Sequence, residues 1–357
     1  MELTLIKVFI PTALAFLIGV LTTPLITHYL YKYQAWKKKS GKGNGYGGGG
    51  TPLFDALHKE RDTNTPRLGG IVIWSSVFLT VLLLAVFEFL FPDSVFGKLN
   101  FLSRSQTWLP LLALAVGAVV GFADDVLTIQ GRGKHFAGGL PLSQRLMVVT
   151  VTAFLSAWWF FDKLEVDSVS MLGFGDVTLG IWFIPFFVFV AICVYSSSVI
   201  DGIDGLAGGV FMFIFTAYAG IALWQNQIDI AALSATIVGG ILAFLWFNIP
   251  PARFYMSETG VMALTMSLTI IAFMTDTLGE GEGVSLLPVV GFLLVATVVA
   301  NTLQIVSKKF FGRRLLKIAP LHHHFEAEGW PQYKVTMRYW VLGFVLAIIG
   351  MILAIGI

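Results

Sequence analysis

Two adjacent aspartates, Asp124-Asp125, follow an apolar run ending in Gly121-Phe122-Ala123. Neighbouring carboxylates repel, and a divalent cation is the simplest means of keeping both ionised at the edge of an apolar segment. Mg²⁺ takes one or two carboxylates and completes its shell with phosphate oxygens and water. A second group, Asp201-Gly202-Ile203-Asp204-Gly205-Leu206, pairs two carboxylates with glycines that allow a tight turn and close backbone approach. These carboxylates can reach a metal or accept hydrogen bonds from a base or sugar, and Asp204 is also placed to cap a following helix. The stretch from Asn248 to Gly260 offers the Asn248 amide, the Tyr255 ring and the Glu258 carboxylate. The fourth group is Pro320-Leu321-His322-His323-His324-Phe325-Glu326. Consecutive helical residues lie about 100° apart, so three such histidines cannot converge on one ion without irregular backbone. They suit charging or hydrogen-bonding a phosphate.

The chain that must position these groups has 357 residues, 56% hydrophobic and 12% charged, with a mean hydropathy of +0.81. That is too apolar for a water-soluble fold of this size, so the bilayer is the solvent. The single cysteine, Cys193, excludes an intrachain disulfide. A hydrocarbon core of roughly 30 Å needs about 20 helical residues. Ten charge-free runs fit, near 8–30, 69–87, 108–123, 146–161, 177–199, 205–224, 230–249, 259–275, 286–306 and 339–357. Connections after the odd-numbered spans hold 19 of the 23 Lys and Arg. Basic residues stay on the cytoplasmic side, so these connections face the cytoplasm and both termini face out. The expectation is an all-α polytopic membrane protein, a single integral domain over 1–357, with its active site on cytoplasmic loops. All four polar groups fall on those loops or at their borders. No span centre carries a charge, which argues against an ion-coupled transporter. The Gly-rich segment 41–50 reads as a flexible linker and lacks the Gly-Lys-Ser/Thr of a phosphate loop. Asp276, Glu280 and Glu282 fall on the outer side and are expected to be solvated. No nucleic-acid partner is expected.

Taken in order, the groups resemble the polyprenyl-phosphate N-acetylhexosamine-1-phosphate transferases, with matches along the whole chain. Thr65-Pro66-Arg67-Leu68-Gly69-Gly70 resembles the family's Thr-Pro-Thr-Met-Gly-Gly, Asp124-Asp125 its aspartate pair, and Asp201 to Leu206 its Asp-Gly-Leu-Asp-Gly-Leu. The Pro-Leu-His-His-His-Phe-Glu run, with Gly329-Trp330 and Arg338-Tyr339-Trp340, resembles the branch using a muramyl donor. The resemblance implies transfer of phospho-MurNAc-pentapeptide from UDP-MurNAc-pentapeptide to undecaprenyl phosphate, giving lipid I and UMP, by a homodimer in the bacterial cytoplasmic (inner) membrane. It implies Mg²⁺ on Asp124, Asp125 and Glu258, with His324 also catalytic. It implies substrate contacts from Asp201, Gly202, Asp204, Asn248, Tyr255, Arg145, His322 and His323. Four positions depart from the pattern: Glu258 replaces the aspartate of Phe-Met-Gly-Asp, Tyr195 and Ser198 replace asparagines, and Asp62 replaces a lysine, with Lys59 and Arg61 nearby. The alternatives are a sister enzyme using a UDP-GlcNAc-like donor and a non-enzyme that binds nucleotide-sugar or lipid without turnover. UMP release distinguishes them.

Overall fold

The computed structural model describes residues 2–37, 64–103, 105–132 and 139–356. The Gly-rich 41–50 segment, Lys59, Arg61 and Asp62 lie outside them. Among the described residues there are twelve α-helices, ten of them long and apolar enough to cross a membrane. The crossing helices are α1 (Glu2–Lys32), α2 (Gly70–Leu90), α3 (Trp108–Ile129), α4 (Leu142–Lys163), α5 (Phe183–Ser196, lengthened by flanking 3-10 turns to a span of Gly180–Ile200), α6 (Leu206–Trp224), α7 (Ile228–Asn248), α8 (Ser257–Met274), α10 (Phe292–Phe311) and α12 (Gln332–Ala354). Two short helices, α9 (Gly283–Val290) and α11 (Leu321–Ala327), precede the last two.

The core sits on α8, with 94% of its spanning window buried, and α7, with 83%; α1, α10 and α12 are only 22% buried and form the periphery. A helix at the centre of a bundle meets protein on every side, so α8 beyond its first turn is largely apolar all round and its two later threonines bond backward along the helix. Thr265 Oγ1 donates to the Val261 carbonyl and Thr269 Oγ1 to that of Thr265.

Most helices outrun the charge-free windows, three of them where it matters for the polar groups. α3 continues six residues past the expected end at 123, so the aspartate pair lies inside the helix. α4 takes in Arg145, and α12 begins at Gln332, its Arg338 and Lys334 lying over the Trp330 ring at 4.1 and 5.0 Å. The expected span 286–306 is instead α9 and α10, divided at Gly291. Pro288 lacks an amide hydrogen and Gly291 is a poor helix former, so the break falls there. An unforeseen hairpin, β1 (Ser168–Met171) with β2 (Gly175–Thr178), lies between α4 and α5, pairing Ser168 with Thr178 and Met171 with Gly175.

Candidate active site

Small residues bring the helices together. A Cβ on Gly121 would lie 2.2 Å from the Glu258 carbonyl oxygen, and one on Gly117 2.6 Å from that of Met262. Only glycine permits this approach of α3 to α8, which sets the aspartates beside the first turn of α8. The 66–70 segment lies along the chain entering α8: Tyr255 N–H donates to the Pro66 carbonyl, and Gly69 N–H to that of Tyr255, both at 2.8 Å. A Cβ on Gly70 would lie 2.2 Å from the Gly260 nitrogen.

Asp125, wholly buried, accepts hydrogen bonds at Oδ2 from Thr259 N–H (2.9 Å) and Oγ1 (2.6 Å), and at Oδ1 from Arg67 Nε (3.0 Å). Asp124 Oδ1 accepts the Leu140 N–H at 2.7 Å and lies 3.9 Å from Arg145 Nε. Arg145 Nη1 donates to Glu258 Oε1, and the Tyr195 hydroxyl lies 3.5 Å from Glu258 Oε2. Arg145 Nε is buried and makes no hydrogen bond. Two arginines therefore alternate with three carboxylates where α3, α4 and α8 meet.

The Asp201-Gly202 turn lies alongside. Asp201 Oδ2 accepts the Ser257 N–H at 2.8 Å. Enclosure of this carboxyl pushes its pKa up to about 6, opposed by the Ser257 hydrogen bond and the nearby Arg67 charge; the residue as a whole keeps some solvent contact. A Cβ on Gly202 would lie 2.3 Å from His322 Nε2 and 2.7 Å from His323 Nε2, so the turn carries glycine where two imidazoles press on it. Those rings are buried with centroids 4.4 Å apart, and His323 Nδ1 lies 2.6 Å from Glu326 Oε2. His324 is set apart from the pair: its Nδ1 accepts the Lys317 N–H at 3.3 Å.

Other expected substrate contacts hold the loops. Asp204 does not cap α6, which starts after Gly205 in a left-handed conformation; its Oδ2 instead accepts the Ala252 N–H at 3.0 Å. Asn248 joins two loops, accepting the Gly205 N–H at 2.9 Å and donating to the Phe254 carbonyl at 2.8 Å. Arg67 and Glu326 join the site without having been singled out for it, and Tyr195, expected there only as a departure from the family pattern, joins it too. Arg67 had a signal in its Thr-Pro-Arg-Leu-Gly-Gly setting, and Glu326 in its three-residue spacing from His323.

As to metal, among the described residues no three His, Cys, Asp or Glu side chains gather as a ligand cluster. Both oxygens of Asp125 are engaged by Thr259 and Arg67, so this carboxylate fastens α3 to α8. Asp124 and Glu258 are the two that meet on Arg145, one on either side of it. Two carboxylates are the number Mg²⁺ commonly takes from protein.

An apolar cleft of about 510 Å³ opens between α5, α9 and α10. It runs from Val169 and Val177 of the hairpin to Cys193 and Ser197, four residues before Asp201.

A polytopic helical bundle with carboxylates, arginines and imidazoles at one end and an apolar cleft beside them is the frame of a membrane-embedded transferase. The Glycosyl transferase family 4 profile matches residues 107–276. Relatives named phospho-N-acetylmuramoyl-pentapeptide-transferase include that of Caldanaerobacter subterraneus subsp. tengcongensis, 30% identical over 338 residues, covering 94% of this chain and 95% of the relative. That of Listeria monocytogenes is 31% identical over 343 residues, covering 95% of each. The chain belongs to the phospho-N-acetylmuramoyl-pentapeptide-transferase family.

Proposed function

We propose that the chain transfers phospho-MurNAc-pentapeptide from UDP-MurNAc-pentapeptide to undecaprenyl phosphate in the bacterial cytoplasmic membrane, forming lipid I and UMP. The observation that carries this is the meeting of all five odd-numbered connections at one end of the bundle, next to the Ser197 end of an apolar cleft. Such a site takes a charged donor from water and a lipid acceptor from the bilayer. An oxygen of the lipid phosphate attacks the β-phosphorus, the phosphoanhydride bond breaks, and UMP leaves with the bridging oxygen. The barrier is lowered by positioning and by neutralising phosphate charge.

Arg67, Arg145, His322 and His323 supply the positive charge and hydrogen-bond donors around the phosphates, with His324 at their margin. Glu326 holds His323 by its Nδ1, which leaves Nε2 to face the Asp201-Gly202 turn. Asp201, Gly202, Asp204, Asn248 and Tyr255 form the nucleotide side. Asp124 and Glu258, with Asp125 behind them, are the residues that would hold Mg²⁺, which neutralises diphosphate charge when bound. The excess of Lys and Arg on these connections puts the site at the cytoplasmic face, with both termini outside. The family resemblance further suggests a homodimer.

The test is UMP release by purified protein given both substrates and Mg²⁺, with EDTA, lipid-free and UDP-GlcNAc arms. Release that requires metal, lipid and the muramyl donor is the expected outcome. Release with UDP-GlcNAc alone would move the assignment to a sister donor, and silence with both donors would leave a binding protein.

A further inference from the structure

At the end of the bundle away from the candidate active site, just past α8, lies a buried carboxylate that the transfer chemistry does not use. Asp276 is 1% exposed. The 18 residues of α8 put it roughly 27 Å from Ser257. Its Oδ1 accepts the N–H of Ser170 in β1, and its Oδ2 the N–H of Val284 in the first turn of α9, each at 2.8 Å. The loop is wound around it, with Gly279 and Gly281 N–H donating to its own carbonyl at 2.8 and 3.1 Å.

One side chain thus ties two elements far apart in sequence, and both line the apolar cleft: the hairpin through Val169 and Val177, α9 through Val284 and Leu287. A second strap joins the same elements, the Leu172 N–H donating to Ser285 Oγ at 3.1 Å. An isolated two-stranded hairpin is marginal in water, and β2 is exposed along its length. The stiffness of this wall therefore comes from its fastening to the 276–285 segment.

We propose that Asp276 is a positioning residue for the lipid acceptor: by fastening the hairpin to α9 it fixes the far wall of the cleft, and so governs how the distal isoprenoid units of a polyprenyl phosphate are held. The proposal rests on the acceptor assigned under the transferase reading. It makes a chain-length prediction, because a short prenyl phosphate ends before the hairpin whereas a long one passes it.

The experiment measures binding of undecaprenyl phosphate and of a two-unit prenyl phosphate to the purified full chain by native mass spectrometry, then UMP release with each acceptor. Wild type, Asp276→Ala and Asp276→Asn are compared. Asp276→Ala is expected to weaken undecaprenyl phosphate binding, and raise its KM, about tenfold. The kcat, the donor KM and every value for the two-unit acceptor stay unchanged. Asp276→Asn, which keeps one acceptor oxygen, gives a smaller shift of the same kind and decides the matter if the alanine variant does not fold. Equal weakening of both acceptors, or no change with either, overturns the proposal. Absence of UMP release by wild type would sink the transferase reading, while the chain-length dependence of binding still decides the role of Asp276.

Discussion

Ser257 donates its backbone N–H to Asp201 Oδ2 at 2.8 Å from a left-handed conformation, φ +57°. The first residue of the central helix therefore points its amide into the Asp-Gly turn, which a right-handed start would not do. The related motif carries glycine here. The serine side chain gains nothing from its place, its hydroxyl being buried without a hydrogen bond.

Ser257→Gly should accordingly stabilise the chain. A left-handed non-glycine residue costs about 1–2 kcal/mol, of which glycine's extra unfolded-state entropy, about 0.5–1 kcal/mol, returns part. A net gain of up to about 1.5 kcal/mol is expected with the Asp201 hydrogen bond intact. Thermal unfolding in detergent reads it, and a lowered midpoint would sink the strain argument.

Arg145 and Glu258 form a pair whose side chains are only 13% and 16% exposed. Removing Arg145 leaves both Glu258 and Asp124 without their cation, a loss of about 3–5 kcal/mol, whereas removing Arg145 and Glu258 together leaves only Asp124, still met by the Leu140 N–H. Arg145→Gln and Glu258→Gln should each lower stability and abolish transfer, and the double variant should lose less than the sum. A double-mutant cycle measures the coupling; additive losses would mean the pair is not coupled.

The approach of α3 to α8 predicts that Gly121→Ala costs about 1–3 kcal/mol, because the atom in the way belongs to the backbone of Glu258 and cannot swing aside. Transfer should fall as well, since the aspartates ride on that contact. Val119→Ala, at a 69% exposed position on the same helix, should stay within about 0.5 kcal/mol. Equal effects at both positions would remove the special role of the glycine.

Burial raises both Asp201 and Asp276 from an ordinary carboxyl value to about 6, with neighbouring Asp176 adding to the effect at Asp276. Between the unfolded value of about 4 and the folded value of about 6 the native state binds protons that the unfolded chain has released. Stability from these groups is therefore lost as pH rises through that window. The unfolding midpoint should be higher at pH 5 than at pH 7, and Asp201→Asn and Asp276→Asn should each flatten the profile. A profile as steep in both variants as in wild type would assign the dependence elsewhere.

Much of the bundle was legible because membrane solvation acts on whole segments: each charge-free run named a span, and nineteen basic residues sorted the connections into two faces. The helix ends were less legible. Arg145 and Asp124 lie within helices, since a charge with a partner across the bundle need not mark a boundary. Asp276 was expected in water because a carboxylate outside a span normally lies there. Its two amide partners come from Ser170 and Val284, and only the folded chain brings that first donor across. Asp204 has the residue type of a helix cap, yet the Ala252 amide is the donor it meets. The aspartate and histidine groups could be found by type and order, but the sorting of His322 and His323 from His324 required the turn at Gly202.

Two hydrogen bonds reach back from the last helix: Thr336 Oγ1 donates to the Asp204 carbonyl at 2.9 Å, and Trp340 Nε1 to that of Gly205 at 3.0 Å. A ribosome inserting this chain delivers Asp124, Asp125, Asp201 and Glu258 long before it delivers those two donors. Until α12 enters the bilayer, the Asp-Gly turn lacks its final braces and the imidazoles above it have no anchored helix behind them. A nascent or prematurely terminated chain thus carries the acidic groups without a finished pocket.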